Sequence, residues 1–244
     1  MLAQSLAAAR RSGASVSQLA PLPDVDLPPD LPAAETALAE GRSVSVIIPT
    51  LNEEVRIASL LDRLLVAYPH QILIADGGSS DRTRALADRP GVEILNGPRG
   101  RAVQMNHAAA RATGEFLLFL HADTLPPPGF PEVIPDILNR PGTSAGAFRF
   151  QLNGALPAAP LIETLVALGC RLRQLPYGDQ GLFLRRSLFH HLDGFPEWPV
   201  MEDLHLVRRL RGLGTIALAR QASLTSPRRW QSQGAARTFF VINS

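Results

Sequence analysis

Three clusters of polar side chains, each placed directly after an apolar run, carry the chemistry of this sequence. Thr50-Leu-Asn-Glu-Glu54 follows Val44-Ser-Val-Ile-Ile-Pro49, Asp76-Gly-Gly-Ser-Ser-Asp81 follows Ile72-Leu-Ile-Ala75, and His121-Ala-Asp-Thr124 follows the run at 115–120. Taken singly, each is equally a turn or a helix N-cap; Asn52 and Asp81 both stand just before helical patterns. Taken together, they gather carboxylates into one region. Carboxylates crowded into one crevice repel, so a cation is the natural occupant. Asp123, with His121 two residues earlier and on the same side of an extended chain, suits octahedral Mg2+ or Mn2+. Such ions keep waters and bridge to phosphates, which points to a nucleotide diphosphate. Gly97-Pro-Arg-Gly-Arg101 adds N–H groups and two guanidiniums suited to anionic oxygens, although such a turn alone is weak evidence.

Positioning these clusters requires a particular scaffold. Strand patterns at 44–49, 72–75, 92–95 and 115–120 alternate with helical patterns at 54–67, 82–88 and 101–112. That alternation with short connections predicts βαβ units and a parallel sheet. Ligands of such sheets bind beyond the carboxyl ends of the strands, where the three clusters fall. After Thr124 the pattern loosens. Pro126, Pro127, Pro128 and Pro131 form a stiff elbow, followed by a helix at 133–139, a strand at 144–150, a helix at 161–172, a strand at 181–185 and a helix at 203–211 ended by Gly212. No internal repeat is present. Residues 1–42, with five prolines among alanines and acids, lack a core pattern and read as a disordered N-terminal extension. Residues 43–244 read as one domain.

Composition removes several classes. The chain has 244 residues with 45% hydrophobic content, and all 24 of its Lys+Arg residues are arginine. The lack of lysine excludes a P-loop lysine, a pyridoxal Schiff base and a lysine nucleophile. One cysteine, Cys170, forms no intrachain disulfide, and the six histidines show no zinc-protease spacing. Aromatic content of 6% speaks against a single-strand nucleic-acid binder. Charge is uneven: residues 171–244 hold eleven Arg against five acids, a net of +6, while residues 1–42 and 43–170 each carry −2. The positive third suits phosphates, an acidic acceptor or an anionic membrane, and equally a solvated surface. With no signal-peptide order and no spanning stretch, the expectation is a soluble cytoplasmic protein, compatible with peripheral contact at the inner membrane face.

These residues resemble the family 2 glycosyltransferases of GT-A fold. The resemblance runs in order through Ser45-Val-Ile-Ile-Pro-Thr-Leu-Asn-Glu-Glu54, Asp76-Gly-Gly-Ser-Ser-Asp81, Asn106, Gly114-Glu115, His121-Ala-Asp123, Gly178-Asp-Gln-Gly181, Gly194-Phe-Pro-Glu197 and Glu202-Asp203. It is nearest to the radical-SAM/selenodomain-associated transferase 2 subgroup, through Leu175-Pro-Tyr-Gly-Asp-Gln-Gly181 and Met201-Glu-Asp203. What it implies is a single α/β domain with a mostly parallel sheet flanked by helices, and inverting transfer of a sugar from a nucleotide-diphosphate donor to an unidentified acceptor. Thr50, Asn52, Glu53, Asp76, Arg101, Asn106 and Asp123 would bind the donor, Asp76 meeting the base. Asp123, with His121, would hold Mg2+ or Mn2+. Gly178, Asp179, Gln180, Arg229 and Trp230 would meet the acceptor. Asp203, with Glu202 beside it, would be the base. His121 stands where many relatives carry a first aspartate, and Ser226-Pro-Arg-Arg-Trp230 lacks the glutamine of processive synthases.

The implied chemistry is coherent. Negative charge on a departing diphosphate is met by a metal and arginines, and a carboxylate takes the acceptor proton. Adjacent Glu202 and Asp203 cannot flank a glycosidic bond as a hydrolase pair would. Asp203 is also readable as the cap of a helix carrying Leu204, Val207 and Leu210. A sugar-1-phosphate nucleotidyltransferase and a non-catalytic nucleotide-binding module are the alternatives. Cys170 reads as core, His190-His191 as helix surface, and Trp198 and Trp230 as either packing or sugar platforms. The stretch 156–172 either shields the acceptor site or rests on a membrane.

Overall fold

A computed structural model describes residues 42–154, 158–173, 175–176, 178–198 and 202–227. Its strands are β1 (Val44–Thr50), β2 (Gln71–Asp76), β3 (Val92–Asn96), β4 (Phe116–Phe119), β5 (Thr124–Leu125), β6 (Thr143–Leu152), β7 (Leu182–Arg185) and β8 (Thr215–Thr225). Its helices are α1 (Ile57–Val66), α2 (Thr83–Ala87), α3 (Arg101–Ala109), α4 (Phe130–Leu138), α5 (Ala159–Arg173), α6 (Arg186–His191) and α7 (Glu202–Leu213), with a 3-10 turn at Gly178–Gln180. The strands form one sheet in the order β3-β2-β1-β4-β7-β6-β8-β5.

Continuous apolar runs make the central strands because both sheet faces are covered. Alternate side chains feed two cores. Val44, Val46 and Ile48 of β1, Ile72 and Ile74 of β2 and Phe116 and Leu118 of β4 pack against α1 and α4. Ile47, Leu73, Ala75, Leu117 and Phe119 face the other way, against α3, α6 and α7. The helices answer with single apolar stripes: Ile57, Leu60, Leu61 and Leu64 of α1 are all fully buried. Each such side chain contributes about 1.5–3 kcal/mol. A third cluster joins Phe150 and Leu152 of β6 to Ile162, Val166 and Cys170 of α5.

The sheet is mixed, with parallel pairings in the majority as expected. The pairings β1/β2, β1/β4, β2/β3 and β6/β8 are parallel, whereas β4/β7, β5/β8 and β6/β7 are antiparallel. β7 runs backwards beside β4, so the parallel half, with its carboxyl ends at Thr50, Asp76, Asn96 and Phe119, meets an antiparallel one. β5 and the eleven-residue β8 are additions to the sequence expectation. β8 is written Thr-Ile-Ala-Leu-Ala-Arg-Gln-Ala-Ser-Leu-Thr, and two register shifts against β6 break its alternation of buried and exposed residues. Local periodicity therefore carries no clean strand signal there. Gly146 of β6 is dictated by contact: a Cβ there would lie 2.2 Å from the Phe183 ring of β7.

Among the described residues no helix is long and apolar enough to cross a membrane. Cys170 is core, as expected, but it also reaches out of its helix. Its thiol donates to Gln180 Oε1 at 3.2 Å, tying α5 to the 3-10 turn. Burial pushes the thiol up to about 11, against which the Gln180 contact acts only weakly. Only about one thiol in a thousand is then thiolate at pH 8. Alkylation of Cys170 at that pH should run at least about 100-fold slower in the folded protein than in denaturant, as mass spectrometry of quenched samples would read; rapid labelling of the folded chain would contradict this burial.

Candidate active site

The β1 and β2 loops, identified as separate clusters in the sequence, are hydrogen-bonded to one another. Thr50 Oγ1 donates to Asp76 Oδ1 at 3.1 Å. Asn52, in the left-handed region at φ 57, receives the Ser80 N–H on its Oδ1 at 2.9 Å and donates its own N–H to Ser79 Oγ at 3.0 Å. The Glu53 N–H donates to Thr83 Oγ1 at 2.7 Å and the Glu54 N–H to Asp81 Oδ2 at 3.2 Å. Beneath them lies Gln104 of α3, a residue the sequence reading missed. Its amide donates to the carbonyls of Thr50 at 2.8 Å and Ala75 at 2.7 Å. A buried glutamine in a helix carries no motif; only its contacts reveal that it joins two strand ends.

Asp76 shapes this platform from within. It is 1% exposed and accepts from the hydroxyls of Thr50 and Ser79 and from the N–H groups of Gly78 and Ser79. Both of its oxygens are engaged internally, so Asp76 anchors the loop on which the sequence expects a base to be met. Burial pushes its carboxyl up, but the Ser79, Thr50 and Gly78 hydrogen bonds outweigh that and hold it below the ordinary carboxylate value. Asp81, at the start of the α2 turn, is lowered in the same way: burial opposes, and the Thr83 and Glu54 donors prevail.

Asn106, expected at the donor, is bonded to the backbone of Phe195. Its Nδ2 donates to the Phe195 carbonyl at 2.8 Å and its Oδ1 accepts the Phe195 N–H at 2.9 Å. Gly194, at φ +71, gives this amide room: a Cβ would lie 2.5 Å from Asn106 Oδ1. Asn106 thus clamps the Gly194-Phe195 turn, whose Phe195 lines a narrow cleft with Met105, Phe119, His121, Leu182, Glu202 and Asp203.

Four groups from four elements stand in series, two of which, His121 and Glu202, line that cleft. His121 follows β4; its Nδ1 lies 3.2 Å from Asp179 Oδ1 of the 3-10 turn, and its Nε2 lies 3.3 Å from Arg101 Nη1 at the start of α3. Arg101 Nε is 3.2 Å from Oε1 of Glu202, the first residue of α7. Asp203, the second residue of α7, accepts the N–H of its neighbour Leu204 at 2.8 Å. The 3-10 turn is held by β6 and β8: Gln180 Nε2 donates to the Phe148 carbonyl at 3.0 Å, and Thr225 Oγ1 donates to the Asp179 carbonyl at 2.7 Å. Gln180, expected on the acceptor side, is 1% exposed and supports the turn from below. Arg229 and Trp230 lie outside the described residues. Trp198, by contrast, is half exposed, its ring against His205.

Among the described residues no group of three or more His, Cys, Asp and Glu has the geometry of a metal site. The local donor set is the Asp123 carboxylate, with Asp123 held in place by the Ser226 N–H on its carbonyl at 3.1 Å. One hard oxygen donor fits a Mg2+ or Mn2+ ion that takes its other ligands from phosphate and water, and does not fit an all-protein cage. His121 is placed as a bridge: both ring nitrogens already face partners, so a cation on it would have to displace Asp179 or Arg101.

The Asp76 arrangement has a pH signature. A carboxyl held below its ordinary 3.8 stabilises the fold fully above that value, and the contribution is lost as pH falls through the lower folded value. Asp76→Asn should be less stable at pH 7 and should show a flatter loss of melting temperature below about pH 4. Parallel acid limbs for both proteins would show that the carboxylate has no such role.

Comparison with known proteins bears on the whole arrangement. A glucosyl-3-phosphoglycerate synthase of Mycolicibacterium smegmatis is 28% identical over 121 residues, covering 45% of this chain and 38% of that protein. The chain thus matches well under half the length of this curated relative. A mannosyltransferase of Pyrobaculum calidifontis, solved with GDP-Man and Mn2+, superposes with a TM-score of 0.60 at 23% identity, covering 75% of this chain and 56% of that one. The Mycobacterium tuberculosis glucosyl-3-phosphoglycerate synthase, solved with Mn2+, UDP and glucosyl-3-phosphoglycerate, gives 0.59 at 19% identity over 83% and 79%. These likenesses show the GT-A fold. The family model described as glycosyl transferase family 2 matches residues 45–184, more than half of the sequence, and with the strand-end clusters inside that span this chain belongs to that family.

Proposed function

We propose that this protein transfers a sugar, with inversion, from a nucleotide-diphosphate donor to an acceptor hydroxyl. The observation that carries this is that Arg101 links His121, two residues before Asp123 at the end of β4, to Glu202 at the start of α7, on the strand-end edge that also carries the interlaced loops of Thr50, Asn52, Glu53 and Asp76. Those loops, stiffened by mutual hydrogen bonds, receive the nucleoside. Arg101 meets the diphosphate with the donors of its planar fork. A divalent cation held by Asp123 supplies further charge neutralisation to the departing diphosphate. Asp203, in the cleft lined by His121 and Phe195, takes the proton of the acceptor hydroxyl, while the turn carrying Gly178 and Asp179 borders the acceptor side together with Arg229 and Trp230.

Several finer assignments belong to the same proposal. Leu175-Pro-Tyr-Gly-Asp-Gln-Gly181 and Met201-Glu-Asp203 support the radical-SAM/selenodomain-associated subgroup. Residues 1–42 form an extension that donor binding does not need. Leu161, Leu165 and Leu168 leave an exposed apolar stripe on α5, in the region where the arginine-rich third begins, and this supports peripheral contact with an anionic membrane.

Two substitutions test the assignment. Asp203→Asn keeps a capping side chain, so it should fold and bind donor but transfer sugar roughly 10²–10⁴-fold more slowly. Transfer within a few-fold of wild type would make Asp203 a cap alone. Asp123→Ala should fold yet lose the Mn2+-dependent part of nucleoside-diphosphate affinity, measured by calorimetry; equal affinity with Mn2+ and with chelator in the unsubstituted protein would remove the metal from the proposal.

A further inference from the structure

Glu202 is 2% exposed, and a buried carboxylate is costly unless a counter-charge accompanies it. Arg101 supplies that charge at 3.2 Å, but off the hydrogen-bonding axis, so that Glu202 Oε1 has an ion pair and no aligned hydrogen bond. Arg101 itself is 40% exposed along its side chain, its Nη1 towards His121 and its Nε towards Glu202, both of which line the cleft. The guanidinium is therefore held inward by charge, not by the two-pronged geometry that makes arginine–oxyanion pairs strong. A diphosphate arriving from the open side can offer that geometry.

We infer that Glu202 is the resident counter-ion of Arg101, which it yields to the donor's diphosphate, so that donor binding is coupled to the start of α7. This rests on the nucleotide-sugar reading and gives Glu202 a different role from its neighbour. Asp203 works on the acceptor; Glu202 acts through Arg101 and is a positioning residue. Two consequences follow from the charges. Donor affinity is lowered by whatever it costs to draw the guanidinium away from a buried anion. The first turn of α7, which carries Asp203 next to Glu202, changes its environment only when the diphosphate is in place, so an acceptor meets an aligned Asp203 after donor loading. The coupling needs no movement of the donor loops, which are fastened to one another independently of Arg101.

Glu202→Gln keeps the shape and removes the charge, which makes it the direct test. With Mn2+ present, UDP and GDP serve as probes, and uridine and guanosine as controls lacking phosphate. Whichever diphosphate binds should bind the Glu202→Gln protein at least about five-fold more tightly than wild type, the low end of ordinary site-to-site coupling. The matching nucleoside should not distinguish the two proteins. In an Arg101→Ala background the gain should vanish. Equal or weaker diphosphate binding by Glu202→Gln, or a gain that persists without Arg101, overturns the inference. Failure of both diphosphates to bind wild type would instead overturn the nucleotide-sugar reading beneath it. A second measurement stands should the variant fold poorly: in wild type, hydrogen exchange of the amides at 202–207 should change when diphosphate is added, and should not change in Arg101→Ala. Unaltered exchange in wild type with diphosphate bound also overturns the coupling.

Discussion

Three hydrogen bonds from the end of β8 hold the acidic turns on which the site is built. The Ser226 N–H reaches the Asp123 carbonyl, the Thr225 hydroxyl reaches the Asp179 carbonyl, and the Ser223 hydroxyl reaches the Gln180 carbonyl. Ser223 and Thr225 are buried, so these bonds are shielded from competing water. Two turns far apart in sequence, at 121–124 and 178–180, thereby share one support. Their spacing depends on the last residues of β8, 222–225, lying parallel to 149–152 of β6 in one unbroken register. A slip by one residue would turn both hydroxyls to the other face.

The site divides into a stiff part and a changeable part. The donor-side loops are fastened by neutral or singly charged hydrogen bonds with nearly every group satisfied: Asp76 alone accepts four. Such a platform resists rearrangement because each broken bond would leave a buried polar group without a partner. The second part is instead built from the ionic groups of Asp179, Arg101 and Glu202 with the His121 ring between the first two, at contacts of 3.2 to 3.3 Å and with one pair out of alignment. Pairs of this kind exchange partners more readily when a stronger anion arrives. Recognition by the first part and rearrangement in the second are compatible because Gln104, and not Arg101, joins the ends of β1 and β2, although both side chains come from α3.

The glycosyl transferase family 2 match spans residues 45–184, while the acids opening α7 lie beyond it. What brings them back is the antiparallel β7 beside β4 and the clamp of Asn106 on Phe195. The matched span thus supplies the sheet edge, and Phe195, Glu202 and Asp203 from beyond it line the cleft.

Sequence alone determined the alternating strands and helices of the first half, because runs such as Val44-Ser-Val-Ile-Ile-Pro49 and the stripe of α1 bury themselves in only one way. It also determined that the clusters at 50–54, 76–81 and 121–124 fall at strand ends, since a parallel sheet sends every carboxyl end to the same edge. Tertiary structure decided what each of those polar side chains is bonded to within the fold. Asp76, Asn106 and Gln180 carry the same chemical groups as ligand-binding residues, and only their hydrogen-bond partners distinguish them as anchor, clamp and support. β8 escaped local pattern for a related reason: its bulged pairing with β6 destroys the alternation that marks a strand, and its stability comes from a partner more than sixty residues away. Periodicity records burial along one segment, whereas the role of a polar side chain is set by what the rest of the chain brings to meet it.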